Sequence, residues 1–208
     1  RVAYVDLDAH HCDGVEAAFS EDPDLLMIST HEERRWPFTG QIDYNRPDKF
    51  LNIPLPRGCN DDEFNYVFDV LIPPVLKRFA PKVLIVQGGG DALHHDPLSR
   101  LSLSNNALWR SLRQLLECSS RLILTGGGGY NPWTVARLWA GFWAILSDQP
   151  IPQTLTPKAV EILTSLKWNK NHSLPNYFLD SLIDPPSQGK IRKEIRELAD
   201  YLKMRHAI

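Results

Sequence analysis

A chain of 208 residues with 43% hydrophobic and 23% charged residues has ordinary globular composition. It is long enough for one domain with a real core and is unlike a disordered or fibrous chain. A formal net charge of -2 gives no global attraction for nucleic acid, whose binding draws on many phosphate contacts from a basic face.

Residues 2–5 are a short apolar run, and similar runs recur at 25–28, 83–86 and 122–124. Runs this short and this apolar read as buried parallel strands. The first opens directly after Arg1 with no signal-peptide layout, so an upstream part of the same domain is expected, and the fold is expected to be incomplete at its N-terminus. A short helix over 14–19 follows. From 36 to 56 the pattern breaks into Pro, Gly and polar residues, apart from a possible strand at 50–53, which predicts a long loop of the kind that often carries function. Residues 61–79 and 105–118 have apolar residues at helical spacing. Asn60 with Glu63 makes a capping-box start for the first of these helices, while Pro73 and Pro74 are expected to kink or split it. Residues 131–146 predict a largely apolar helix packed on several sides. The Pro-rich segment 149–152 ends the core, and helices near 157–166 and 190–204 form a peripheral tail. The last of them mixes charges around a narrow apolar stripe, which suits a solvated surface helix better than a nucleic-acid-binding one. Strand, helix, strand order predicts an α/β fold in three layers, a mainly parallel sheet flanked by helices, with a catalytic part at 1–148 and a tail packed on it at 149–208.

Cys12, Cys59 and Cys118 stand at wide, irregular spacing with no CxxC pair, which argues against a disulfide framework or a thiolate zinc site and for a reducing cytoplasm. The longest wholly apolar stretch, 138–146, is far short of the roughly 20 residues a membrane span needs. No membrane contact is expected.

Three stretches carry chemistry. In YVDLDAHHCDG, residues 4–14, acids and imidazoles crowd onto the end of a buried strand. Alternate residues of a strand point the same way, so Asp6, Asp8 and His10 can converge, and sites in open parallel sheets form outside the carboxyl ends of the strands. The plainer alternative is that Asp8 and His10 cap the helix that follows. In VQGGGDALHHDP, residues 86–97, glycines let the backbone approach a ligand closely. Asp91 can then complete an Asp, His, Asp set with an open fourth position, as a catalytic zinc requires; a helix N-cap is the alternative. In LTGGGGYNP, residues 124–132, four glycines precede a helix start. Neither the Lys-Ser/Thr of a P-loop nor the acid of a dinucleotide site accompanies them, and Tyr130 is placed to donate a hydrogen bond to a developing oxyanion.

Together and in this order, DxDxHHxDG, the glycine turn ending in Asp-Ala and followed by Asp-Pro, and GGGGYN resemble the zinc-dependent histone deacetylase family. WPFTG, DPLSRLSLSNNA and GGGGYNPWTVARLW are most similar to its bacterial acetoin-utilisation branch. The resemblance implies an arginase/deacetylase-like fold and zinc-dependent hydrolysis of N-acetyl-lysine or a related amide to acetate and free amine. It implies Zn2+ at Asp8, His10 and Asp91, and Tyr130 as the residue that polarises the acyl carbonyl. Asp6 and Asp13 match the acids that orient the family's two catalytic histidines. Asp6, with the backbone oxygens of Asp8 and His10 and the hydroxyl of Ser29, matches a structural monovalent-cation site, usually K+. Trp36, Leu98 and Gly128 match residues of the substrate tunnel, although Trp36 alone would more often be core and Ser29 an ordinary strand residue. Cys12 departs from the family's usual glycine. The family's paired histidines lie upstream of the DxDxHH motif and thus outside this chain, and His94 and His95 match no general base. The substrate is expected to be an acyl-lysine protein or a small acylated amine. An acetylpolyamine amidohydrolase, or a module that binds metal and acyl-lysine without turnover, are the alternatives; an arginase-like ureohydrolase would want a second set of metal acids.

Overall fold

The computed structural model describes residues 1–167 and 173–208; residues 168–172 of the predicted tail lie outside the described part. Five strands form one parallel sheet: β1 (Val2–Asp6), β2 (Leu25–Glu32), β3 (Phe50–Leu55), β4 (Val83–Gln87) and β5 (Leu122–Thr125), in the order β3-β2-β1-β4-β5. The helices are α1 (Asp13–Phe19), α2 (Asp61–Phe79), α3 (Asn105–Cys118), α4 (Pro132–Leu146), α5 (Pro157–Ser165), α6 (Tyr177–Asp180) and α7 (Lys193–His206), with a 3-10 turn at Ile42–Tyr44. The strand expected at 50–53 runs on to Leu55 because the partner strand β2 continues to Glu32, and Pro54 is tolerated opposite His31 because β3 is an edge strand.

Chain direction across the sheet reverses at β1. From β1 it steps outward to β2 and β3, then returns to β4 on the other side of β1 and on to β5. Right-handed crossovers place the connecting helices of the two halves on opposite faces. A crevice therefore opens between the carboxyl ends of β1 and β4, the position where open α/β sheets bind ligands.

The two faces of the sheet are covered unequally. Ala3, Val5, Leu84 and Val86 are fully buried and share one core with Phe68, Leu108, Trp109, Leu138 and Phe142 of α2, α3 and α4. On the other face Tyr4 and Ile85 are only half-buried and Ile123 of the edge strand β5 is 53% exposed. The expectation of strands buried on both sides holds for β2 and β3, while β1, β4 and β5 are covered fully on one side only or less.

Pro73 and Pro74 lie inside one helix, so of the expected kink or split the split does not occur. A proline removes the bond to the carbonyl four residues back, here those of Asp69 and Val70, and Asp69 is an exposed residue. The start of α2 has the predicted capping box between Asn60 and Glu63.

The fully buried Glu63 carboxylate also receives Nε and Nη2 of Arg192, at 2.6 and 2.7 Å, and the Arg192 backbone N–H at 3.0 Å. Burial alone would raise this carboxyl; the Arg192 bonds overcome it and hold it below its ordinary value. Through this contact the apolar stripe of α7, Ile195, Ala199 and Leu202, is held in the core. Arg192→Ala should lower stability by about 2 kcal/mol, the scale for removing charged hydrogen bonds from a buried carboxylate. A urea midpoint and amide exchange across α7 check this; an unchanged midpoint with α7 still protected would contradict it.

Candidate metal centre

The centre is built from the backbone inward. After β1 the chain stays on β4 for one more bond, Leu7 N–H to the Gln87 carbonyl at 3.0 Å, and then turns across the rim. Asp6 anchors the turn by accepting the Asp8 N–H at 3.0 Å and the Tyr4 hydroxyl at 2.8 Å. The Asp8 carboxylate accepts the His10 N–H at 2.9 Å, Gln87 Nε2 at 2.9 Å and the Gly128 N–H at 2.7 Å. Asp91 accepts the Ala9 N–H at 2.7 Å. His10 Nδ1 lies 3.0 Å from Asp8 Oδ1 and 2.8 Å from Asp91 Oδ2. One potential ligand atom from each of Asp8, His10 and Asp91 falls within 4.8 Å of the others.

Neither capping alternative survives. The N-cap of α1 is Cys12, with no side-chain cap bond. Asp91 is followed by turns, and the next helix starts only at Asn105. The glycines serve close approach. A Cβ on Gly128 would lie inside contact distance of Asp91 Oδ2 and 2.8 Å from Asp8 Oδ2. The Gly128 N–H is taken by Asp8, and the Gly90 N–H by the Gly128 carbonyl at 2.7 Å, so neither is free to cradle a phosphate.

The donor set suits a cation. Asp8 and Asp91 are 7% and 0% exposed and face each other; like charges this close and this dry are stable only with positive charge between them. Hydrogen bonds from Asp8 and Asp91 raise the His10 imidazole to about 10, so a proton on His10 supplies that charge when no metal does. Burial raises Asp91 to about 6, with the neighbouring Asp8 charge adding to it. Burial would raise Asp8 too, but the bonds from His10 and Gln87 prevail and hold it low. Two carboxylates and one imidazole are a donor set that fits zinc.

Two exposed aromatic side chains, Trp36 and Tyr130, stand beside this cluster. The Trp36 ring centroid is 6.1 Å from His10 and that of Tyr130 6.5 Å, both edge-on. Trp36, Leu98 and Tyr130 are 64%, 47% and 49% exposed, so Trp36 is not a core residue. The Tyr130 phenol is raised by burial and then by the charges of Asp91 and Asp8, and stays a hydrogen-bond donor at neutral pH.

Asp6 is buried and burial raises it to about 7. Asp13 is not brought to the cluster: it is exposed and accepts the N–H of its neighbour Gly14 at 2.8 Å. Ser29 pairs in register with Asp6 across β1 and β2, with its hydroxyl 2.9 Å from His31 Nδ1. Cys12 is buried, and burial pushes its thiol well up. Sequence reasoning missed Gln87, whose amide bridges to Asp8, and gave no role to Asp96, whose carboxylate accepts the Tyr130 N–H at 2.7 Å. A polar residue at the end of an apolar strand was the available signal for Gln87; nothing local marks Asp96 beyond its place before a proline.

Two outcomes test the centre. Because His10 keeps its proton to about pH 10 in metal-free protein, zinc must displace it, and calorimetry at pH 7.5 in buffers of different ionisation enthalpy should show about one proton released per metal. The sign for stability follows. His10 is raised from 6.5 to about 10 on folding, so its contribution in metal-free protein is complete below pH 6.5 and lost as pH rises through 10. Gly128→Ala should weaken zinc binding at least tenfold, the effect expected of displacing a metal carboxylate; unchanged affinity would show that the close approach is not needed.

The histone deacetylase domain model matches residues 1–146, and the chain belongs to the histone deacetylase family, in its acetoin-utilisation branch. It is 35% identical over 183 residues to the acetoin utilization protein AcuC of Bacillus subtilis (strain 168), covering 82% of this chain and 46% of that protein. The AcuC of Staphylococcus aureus (strain MRSA252) is 30% identical over 217 residues, 97% of this chain and 55% of the relative. A crystal structure of an HDAC homolog from Aquifex aeolicus superposes with a TM-score of 0.89 at 35% identity, covering 98% of this chain and 57% of its own. The helix-flanked parallel sheet is that of the deacetylase fold. The chain spans about half the length of these relatives.

Proposed function

We propose that the full-length protein hydrolyses N-acetyl-lysine, or a related small acylated amine, to acetate and the free amine, with zinc held by Asp8, His10 and Asp91. The observation that carries this reading is the meeting of those three ligand atoms within 4.8 Å, with the Tyr130 ring beside them. Bound zinc would supply Lewis acidity toward the acyl carbonyl and toward the attacking water. Tyr130 then donates its phenol hydrogen to the acyl oxygen as negative charge grows there. Trp36, Leu98 and Gly128 line the approach for the acyl-bearing side chain. Asp6, the backbone oxygens of Asp8 and His10, and the Ser29 hydroxyl are the groups that would hold a structural K+, which would add positive charge beside the buried acids.

Proton transfer needs a base, and among the described residues no histidine but His10 touches the cluster. His11 is engaged with Thr39, Glu16 and Asn52, and burial lowers His31 to about 3. His94 and His95 bond Ser102 and Tyr177. We assign the base to a histidine pair in a segment outside these 208 residues, oriented by Asp6 and Asp13. The half-covered sheet face and the open β5 edge, with Ile123 and Trp143 exposed, suit its docking. Residues 1–148 are then the C-terminal part of the catalytic domain and 149–208 its peripheral tail. Three free thiols, two of them buried, suit a cytoplasmic setting; no described helix is long and apolar enough to cross a membrane.

In full-length, zinc-loaded protein, Tyr130→Phe should lower kcat on an acetyl-lysine peptide about 100- to 1,000-fold at unchanged zinc content. The 208-residue chain should bind zinc but turn over little. Acetylated polyamines assayed in parallel decide the substrate class, and a full-length protein that holds zinc but cleaves no amide would sink the proposal in favour of a binding module.

A further inference from the structure

We propose that two buried carboxylates, Glu32 and Asp96, are positioning residues that brace the three loops around the metal centre and so limit the acyl group it accepts. This inference rests on the function proposed above.

Trp36, Leu98 and Tyr130 sit on separate loops, after β2, β4 and β5, and all three are exposed. Exposed side chains on separate loops keep a fixed spacing only if their backbones are tied together. Glu32, 5% exposed at the end of β2, receives Nε and Nη2 of Arg35 at 2.9 and 2.7 Å, and also the Arg100 N–H at 2.7 Å. Arg35 immediately precedes Trp36, and Arg100 lies two residues beyond Leu98. The first carboxylate therefore links the Trp36 loop to the Leu98 loop. Asp96, 7% exposed, receives the Leu98 N–H at 2.8 Å on one oxygen and the Tyr130 N–H at 2.7 Å on the other. The second carboxylate links the Leu98 loop to the Tyr130 loop. Asn131 adds a parallel tie, Nδ2 to the His95 carbonyl at 3.2 Å.

A carboxylate suits this work where an amide does not. Both its oxygens accept, so one side chain satisfies donors from two loops, whereas Asn or Gln of the same shape accepts on one side and turns an N–H toward the other donor. Burying a carboxylate is unfavourable in itself; Glu32 is offset by the Arg35 guanidinium and also takes the Arg100 N–H, and Asp96 takes two backbone amides, all in loops beside the rim rather than in core elements. Fixing those bonds fixes the backbones that carry Trp36, Leu98 and Tyr130, of which Trp36 and Tyr130 stand beside His10.

The test uses full-length Asp96→Asn and Glu32→Gln. In metal-free protein, amide exchange at Leu98 and Tyr130 in the first, and at Arg100 in the second, should quicken about tenfold or more, as loss of a charged hydrogen bond implies, while β1 and β4 stay protected. In zinc-loaded protein at unchanged zinc content, the acetyl-to-butyryl preference in kcat/KM should fall about tenfold, the scale on which a pocket discriminates one or two methylenes. Loops that stay protected in both variants overturn the brace. Loosened loops with an unchanged acyl preference overturn its role in selectivity, and exchange that quickens equally in β1 and β4 reduces the carboxylates to general stabilisers. If Asp96→Asn does not fold, Glu32→Gln decides alone. Wild-type protein without amide hydrolysis would refute the proposed function while leaving the exchange measurement to judge the brace.

Discussion

Two buried carboxylates that face each other across a crevice make the constraint on which the rest of this molecule depends. Asp8 and Asp91 come from the ends of different strands, and water is excluded from both. Their repulsion is tolerable only because His10 lies between them and because Ala9, His10, Gln87 and Gly128 each direct an N–H at one of their oxygens. These donors fix the carboxylates in place without a metal, so the arrangement would need little change to take one.

The location of that cluster follows from the sheet. A parallel sheet whose winding reverses leaves a gap between the two halves at one end only, and the motifs after β1, β4 and β5 all open on that end. Glycine is required where the third motif crosses the acids, since Gly128 offers its N–H to Asp8 at a point where any Cβ would collide with Asp91. The unequal burial of the sheet belongs to the same account. One face is a closed core, and the other, with the β5 edge, leaves apolar surface open of the kind that edge strands normally hide.

Much of this was legible in the residues. Apolar runs of strand length located four of the strands, and the fifth was read too short because its end is set by pairing with β2. The alternation Asp6, Asp8, His10 placed the acids and imidazole on one rim, and the capping box marked the start of α2. The consecutive prolines do not split α2, because the rest of the helix keeps its buried apolar face against the core. Asp13, which by resemblance matches an acid that orients a catalytic histidine, lies exposed and accepts only the N–H of Gly14 among the hydrogen bonds described.

The sequence by itself determined the family to which those motifs belong and the residue types offered at the rim, two acids, an imidazole and a phenol, because these depend on residue type and short spacing. Tertiary structure alone decided that Asp91 meets Asp8 from 83 residues away, that Gln87 and Gly128 hold Asp8 there, and that Glu32 and Asp96 tie three loops together. Those contacts join segments distant in the chain, and their geometry is set by strand order and register, which no local pattern encodes.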